Sequence, residues 1–258
     1  MTKKIGIIGV GNMGQALARV IRHGHPDYEL LFNRRHLDKL DDLSQELQAE
    51  PVSVKDLLSR ADLIILAIKP KQVVDFFKEN ESLIAAYPNK LWLSVVSGWS
   101  LNDLAKISPQ TWIRLMPNTP VAVGQGMITY CHPEHVSYGD LVEDLFKDAG
   151  LVEALSEDLF PAFTALAGCS PAFLYIIIEA MSDAGVYAGL GRDQAIRFAA
   201  QALAGAGAMV LESGLHPGQL KDQVTSPAGD TIKGVRNLEA KGLRSAIIEA
   251  IIAAQSIK

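Results

Sequence analysis

Two groups of residues at opposite ends of the chain have the types and spacing for chemistry. Near the carboxy terminus stands Ser226-Pro227-Ala228-Gly229-Asp230-Thr231. Proline fixes φ, glycine permits close approach, and the hydroxyl and carboxylate side chains suit a turn that opens a helix. A helix start presents free N–H groups and a partial positive charge, so it can hold a small carboxylate without lysine or arginine. Taken alone, the same residues would serve as an ordinary helix start. At the amino terminus, Gly9-Val10-Gly11-Asn12-Met13-Gly14 follows the apolar run of residues 3–8 and precedes the helical pattern of residues 15–21. A G-x-G-x-x-G between a strand and a helix is the pattern of a dinucleotide site. Gly9 permits the tight turn, Gly11 the approach of a pyrophosphate, and Gly14 the packing of helix on strand.

The elements that must position these groups alternate. Residues 28–32 make a second strand ending in Asn33, Arg34 and Arg35. An NAD site usually has Asp or Glu about 20 residues past the glycines, to bind the ribose 2′-hydroxyl. Asparagine followed by two arginines fits a 2′-phosphate instead, so NADPH is expected over NADH. Residues 61–70 and 91–98 read as further strands, with helical patterns over 52–60 and 72–86. This rhythm predicts an α/β Rossmann domain with a doubly wound, mainly parallel sheet. Ligands then bind beyond the carboxyl ends of the strands. Ala67-Ile68-Lys69-Pro70, Ser97-Gly98 and Met116-Pro117-Asn118-Thr119-Pro120 fall at such ends. Lys69 is expected to line the cofactor with its backbone rather than to move protons.

The composition changes near Ser156. Residues 1–155 are expected to form the nucleotide domain and residues 156–258 an all-helical domain, with helices over 159–167, 171–190, 192–212 and 241–257. Residues 195–211 are apolar on nearly every face, which marks a helix buried on all sides. So few helices cannot bury such a member alone, and the expectation is a homodimer with interleaved helical domains.

The totals exclude other classes. A net charge of −5 with no basic run argues against a nucleic-acid surface. No secretory leader is read in the first residues, and apolar runs are interrupted by Glu179, Asp183, Arg197 or Gln201 before reaching membrane-spanning length. Two cysteines, Cys131 and Cys169, make no disulfide framework, which fits a reducing cytoplasm. Cys131-His132-Pro133-Glu134-His135 has no second ligand pair and reads as a surface turn, so no metal is expected.

Residues 9–14, Ile68-Lys69-Pro70, the run Arg114-Leu115-Met116-Pro117-Asn118-Thr119-Pro120, residues 209–222 and Val224-Thr225-Ser226-Pro227 together resemble pyrroline-5-carboxylate reductases from end to end. The resemblance implies reduction of the C=N bond of pyrroline-5-carboxylate to proline by NADPH or NADH. It also implies a Rossmann domain followed by a helical domain that dimerises by interlocking; some members assemble dimers into a decamer. The substrate carboxylate would lie on the backbone N–H groups around Gly229, Asp230 and Thr231, with Asn118 and Ser226 nearby. The Thr231 hydroxyl, matching the family's threonine, would bond the ring nitrogen. This chain departs from the family at Ala167, Cys169, Ser170, Phe173, Ala228 and Asp230, around the substrate. A reductase of another cyclic imine, or a non-catalytic NADPH-binding regulator, is the alternative. The related β-hydroxyacid dehydrogenases need a lysine base in the second domain, and no lysine occurs between Lys147 and Lys221.

Overall fold

Apolar alternation along the strands sets the layers. In β1 (Lys4–Ile8), Ile5 and Ile7 enter one core and Ile8 the other, as a side-chain period of two requires. The first core joins Leu17 and Ile21 of α1 (Asn12–Gly24) to Leu30, Phe32 and Phe146. The second gathers Leu31, Leu57, Ile64, Leu66 and the ring cluster Phe77, Trp92 and Trp112. The sheet is therefore covered on both faces. The computed structural model describes residues 3–35, 40–88, 90–133 and 138–255.

The other strands are β2 (Glu29–Asn33), β3 (Ala49–Pro51), β4 (Leu63–Leu66), β5 (Leu91–Ser94), β6 (Thr111–Pro117), β7 (Gly126–Cys131) and β8 (Gly150–Ala154), with α2 (Asp41–Leu47), α3 (Val54–Arg60), α6 (Leu101–Ile107) and α7 (Gly139–Leu145) among the helices between them. The strands form one sheet in the order β3-β2-β1-β4-β5-β6-β7-β8. All neighbours are parallel except β6 and β7. That pair is joined by the short 3-10 turn Thr119–Val123, closed by Gly124 at φ 68°, a connection too short for a parallel crossover. The expected doubly wound sheet is present, and the order reverses at β1, which lies between β2 and β4.

Two expected features differ. The helical run over residues 72–86 is broken into α4 (Val73–Glu79) and α5 (Glu81–Ala85), because the Asn80 side chain donates to the Phe76 carbonyl at 2.8 Å and its backbone leaves the helix. Cys131 is not in a surface turn. It ends β7 opposite Arg114 of β6; the last two residues of the motif, 134 and 135, lie outside the described residues.

The chain divides into two units, Met1–Gly168 and Cys169–Lys258. The composition shift at residue 156 follows β8 directly, but residues 157–168 stay with the first unit. They comprise α8 (Phe160–Phe163) and a single π-helical turn, Thr164–Gly168, where a plain α-helix was expected. Phe160 and Phe163 bury against Met116.

The second unit holds α9 (Ser170–Tyr187), α10 (Arg192–Ser213), α11 (Pro217–Gln223), α12 (Asp230–Ala240) and α13 (Leu243–Ala254). Arg192 clasps the α9–α10 hairpin, reaching Asp183 at 2.6 Å and Ser182 at 2.9 Å. Among the described residues of this unit, few are buried within the chain: Ser182, Ala195 and Ala199. Tyr175, Ile176, Phe198, Met209 and Leu211 are all more than half exposed. One helical run, Glu157–Tyr187, is long and apolar enough by length and composition to cross a membrane. This corrects the expectation that interrupting charges leave no run of that length: an 18-residue window within this one has a mean hydropathy of 1.7.

Candidate active site

The glycine-rich turn sits where the strand order reverses. The Ala67 N–H donates to the Ile8 carbonyl at 2.8 Å, and the Gly9 N–H donates to the Asn33 carbonyl at 2.9 Å. The ends of β1, β2 and β4 are thus tied together under the turn. Gly9 has φ 91°, and a Cβ there would stand 2.7 Å from the backbone of Ala67 and Ile68. A Cβ on Gly14 would stand 2.5 Å from the Gly9 carbonyl oxygen, so α1 meets the turn without room for a methyl. Gly11 differs: a Cβ there would meet nothing within 4 Å. It is exposed, as is Asn12, and no side chain caps α1. The first N–H groups of α1 are therefore presented beside an open face, which fits an approaching pyrophosphate.

Asn33 ends β2 and its side-chain amide donates to the Val52 carbonyl at 2.8 Å. Arg34 is half-buried and Arg35 exposed. Beyond β4, Ala67 and Ile68 are half-buried while Lys69 and Pro70 are exposed. The Lys69 backbone closes the 3-10 turn Pro70–Gln72, its carbonyl accepting from Gln72 N–H at 2.8 Å. The structure therefore brings residues 9–14, Asn33 and Ala67 to one end of the sheet.

The second predicted group opens α12. Ser226 to Gly229 form a β-turn, with the Gly229 N–H donating to the Ser226 carbonyl at 3.0 Å. One expectation changes here: the Gly229 N–H is spent on the turn and is not free for an anion. The free donors are those of the first turn of α12 itself, starting at Asp230 and Thr231. Gly229 is the N-cap and no side chain caps the helix. Asp230 turns its carboxylate towards Lys233 at 2.9 Å, which offsets its charge at the helix mouth. Thr231, the second helical residue, is exposed.

Ala228 occupies the third position of this turn at φ 59°. That left-handed conformation favours glycine, and a Cβ there costs about 1–2 kcal/mol. Ala228→Gly is expected to raise unfolding stability by roughly 1 kcal/mol, part of the relief being lost to greater freedom of the unfolded chain. Denaturant unfolding measures it, and a lowered midpoint would contradict the turn geometry.

Asn118 follows β6. Its side-chain oxygen accepts from Met127 N–H at 2.8 Å, and its amide donates to the Ala167 carbonyl at 3.1 Å. Expected to touch substrate, it makes these two bonds with protein. Sequence reasoning also missed an ion pair beneath it. Arg114 of β6, mostly buried, donates to Glu157 at 2.7 Å and lies 4.6 Å over the Phe160 ring. The same Glu157 oxygen accepts the Leu101 N–H at 2.8 Å, at the start of α6 (Leu101–Ile107). Burial, then the Glu157 charge, pushes the Cys131 thiol up to about 12 against the opposing effect of Arg114. That thiol is protonated at neutral pH and is no nucleophile. Among the described residues no group of three or more His, Cys, Asp or Glu could hold a metal.

A sheet with an open glycine turn at its reversal point defines a Rossmann dinucleotide-binding protein, here followed by a helical unit. Comparison with known proteins narrows this. The family model "Pyrroline-5-carboxylate reductase dimerisation" matches residues 157–257, and "NADP oxidoreductase coenzyme F420-dependent" matches residues 4–98. The pyrroline-5-carboxylate reductase of Escherichia coli (strain K12) is 38% identical over 259 aligned positions, covering 97% of this chain and 95% of that protein. Among solved structures, that of Coxiella burnetii pyrroline-5-carboxylate reductase aligns with a TM-score of 0.87 at 30% identity, covering 98% of this chain and 96% of the other. The Plasmodium falciparum pyrroline carboxylate reductase, solved with NADP bound, aligns at 0.83 and 29% identity, with the same coverage. The chain belongs to the pyrroline-5-carboxylate reductase family.

Proposed function

We infer that the chain is an oxidoreductase acting on CH–NH bonds, reducing the C=N bond of pyrroline-5-carboxylate to L-proline at the expense of NADPH or NADH. The observation that carries this is end-to-end similarity to reductases of that name, with an open dinucleotide turn at Gly11. The bound dinucleotide supplies the hydride. The protein's part is positioning, because a cyclic imine can take its proton from water near neutral pH. The N–H groups of Asp230 and Thr231, at the uncapped start of α12, hold the substrate carboxylate. The Thr231 hydroxyl bonds the ring nitrogen, and Ser226 closes the turn that aims the helix. Gly9, Val10, Gly11, Asn12, Met13 and Gly14 cradle the pyrophosphate; Ala67, Ile68, Lys69 and Pro70 line the cofactor with backbone.

The apolar faces of α9 and α10, exposed in the single chain, support a homodimer built through the helical unit. The same partner would cover the Glu157–Tyr187 run, so we read it as an interface and not a membrane span. A reducing cytoplasm fits the two free cysteines.

The direct test is purified protein with NADPH and pyrroline-5-carboxylate. Loss of nicotinamide absorbance with stoichiometric proline is expected. Consumption only with other cyclic imines would move the substrate, and tight NADPH binding without consumption would make the chain a regulator.

Two predictions concern the cofactor. Gly11→Ala is expected to weaken NADPH binding about tenfold or more by blocking pyrophosphate approach, with less than about 1 kcal/mol lost from stability. Gly14→Ala, which drives a methyl into the Gly9 carbonyl, is expected to cost roughly 2 kcal/mol of stability. Calorimetric titration and denaturant unfolding separate the two; equal effects on both quantities would contradict the assignment. Secondly, Asn33, Arg34 and Arg35 favour a 2′-phosphate. Asn33→Asp places a carboxylate there and is expected to shift the NADPH/NADH ratio of kcat/KM towards NADH by roughly tenfold. An unchanged ratio would remove residues 33–35 from cofactor choice.

A further inference from the structure

We propose that Glu157 is a positioning residue for the dinucleotide site: its carboxylate fixes the span of the β5–α6 loop, residues 95–100, and so sets where Ser97 and Gly98 stand beside the nicotinamide half. That role rests on the dinucleotide reading; the tether itself does not.

The loop is bracketed at both ends by one ion pair. It leaves β5 at Ser94, whose register partner in β6 is Arg114. It enters α6 at Leu101, whose N–H donates to Glu157 Oε1 at 2.8 Å. The same oxygen accepts from Arg114 Nη1 at 2.7 Å. Ser94, the loop, Leu101, Glu157 and Arg114 therefore form a closed ring. Glu157 lies 56 residues from Leu101 and 43 from Arg114 in sequence, so the fold and not the local chain supplies this acceptor.

Other contacts at the start of α6 act differently. Ser100 and Asp103 form a capping box: the Asp103 N–H donates to Ser100 Oγ at 3.1 Å and the Ser100 N–H to Asp103 Oδ2 at 3.2 Å. Such a box shapes the first turn but travels with it. Leu104 is buried, and Trp99, Leu101 and Ile107 pack on the same core as Trp92 and Trp112. Apolar packing is non-directional and leaves a helix free to slide along its axis. The bond from Leu101 to an acceptor held by β6 opposes that slide. It also satisfies an N–H that a helix start leaves without an internal partner.

The loop stands where a dinucleotide would reach it. Residues 33–35, at the end of β2, are the expected seat of the adenosine phosphate, so the other half extends across the reversal point towards β4 and β5. The Val95 N–H donates to the Leu66 carbonyl at 3.1 Å, which ties the beginning of the loop to the end of β4, just ahead of Ala67 and Ile68. Ser97 and Gly98 are exposed beyond it, and Gly98 turns the chain at φ 78°. A slide of α6 is carried to these two residues, and a misplacement of about 1 Å at a reacting group can cost on the order of a hundredfold in rate.

The test uses the full chain with two probes, NADPH and adenosine 2′,5′-bisphosphate, which carries the adenosine half alone. Glu157→Ala removes the acceptor and strands Arg114; Arg114→Met with Glu157→Leu removes the acceptor without leaving a charge. In both, the Leu101 amide is expected to exchange about tenfold faster and the NADPH Kd to rise about tenfold, while the bisphosphate Kd stays within about twofold. The double variant regains thermal stability without regaining NADPH affinity, a separation that a merely structural role does not give, and it decides the question if Glu157→Ala does not fold. Unchanged exchange at Leu101 overturns the tether. Faster exchange with an unchanged NADPH Kd overturns the positioning role. So does an equal loss of both probes, or a double variant whose NADPH affinity recovers with its stability. A parent protein that binds neither probe defeats the dinucleotide reading, and exchange at Leu101 then decides the tether alone.

Discussion

Glu157→Ala is expected to cost about 3 kcal/mol of stability, because it strands a buried guanidinium. Arg114 lies in the middle of β6 with its side chain about one-tenth exposed. Its charge is met by Glu157 and by the face of Phe160. The carboxylate also accepts the Leu101 N–H, so its removal leaves a second donor at the start of α6 without its acceptor. Breaking one partner of a buried pair costs more than the pair contributes, since the remaining charge stays desolvated. Glu157 keeps roughly a third of its side chain in water, which places the cost at the lower end of the usual range. Thermal unfolding should fall by roughly 6–12 °C. The double replacement Arg114→Met with Glu157→Leu is expected to recover most of that loss, because it removes both charges together. A single variant as stable as the parent would show that the pair is not buried in solution.

Thr231→Ala is expected to lower kcat/KM for pyrroline-5-carboxylate by roughly ten- to a hundredfold through the loss of a charge-assisted bond. The structure separates this from a folding effect. Threonine commonly caps helices, and a cap would make any loss of activity ambiguous. Here Gly229 is the N-cap and Thr231 the second helical residue. Alanine is the better helix former at such a position, by up to about 0.7 kcal/mol. Stability should therefore hold or rise slightly while turnover falls. Thr231→Ser, which keeps the hydroxyl, should retain most of the rate. Equal kcat/KM in Thr231→Ala would remove the hydroxyl from the chemistry.

Much of this was legible because local rules and tertiary context agree. Residues 9–14 read as a dinucleotide turn, and the geometry gives each glycine a separate steric reason. The start of α12 was legible from Pro227 and Gly229. Its donor pattern was not: whether the Gly229 N–H faces a ligand or the Ser226 carbonyl depends on the turn's dihedrals, which Ala228 adopts despite its methyl. β3, β7 and β8 were not read as strands, β3 and β8 for different reasons. β3 has only Ala49, Glu50 and Pro51 and exists by pairing with β2, while β8 has most of its residues exposed and lacks an apolar run. The Arg114–Glu157 pair spans 43 positions and carries no local signal. Neither does the bond from Asn118 to Ala167, so a sequence reading places Asn118 at a strand end without showing this partner. The π-turn at 164–168 escaped because its residues suit an α-helix equally well.

The central claim is that main-chain amides at the start of α12 hold the acid group of the imine. A crystal structure of the protein with oxidised dinucleotide and proline tests it most directly. The account predicts the proline carboxylate within hydrogen-bond distance of the Asp230 and Thr231 N–H groups, and the ring nitrogen facing the Thr231 hydroxyl. A carboxylate held by arginine or lysine side chains away from residues 226–231 would contradict it.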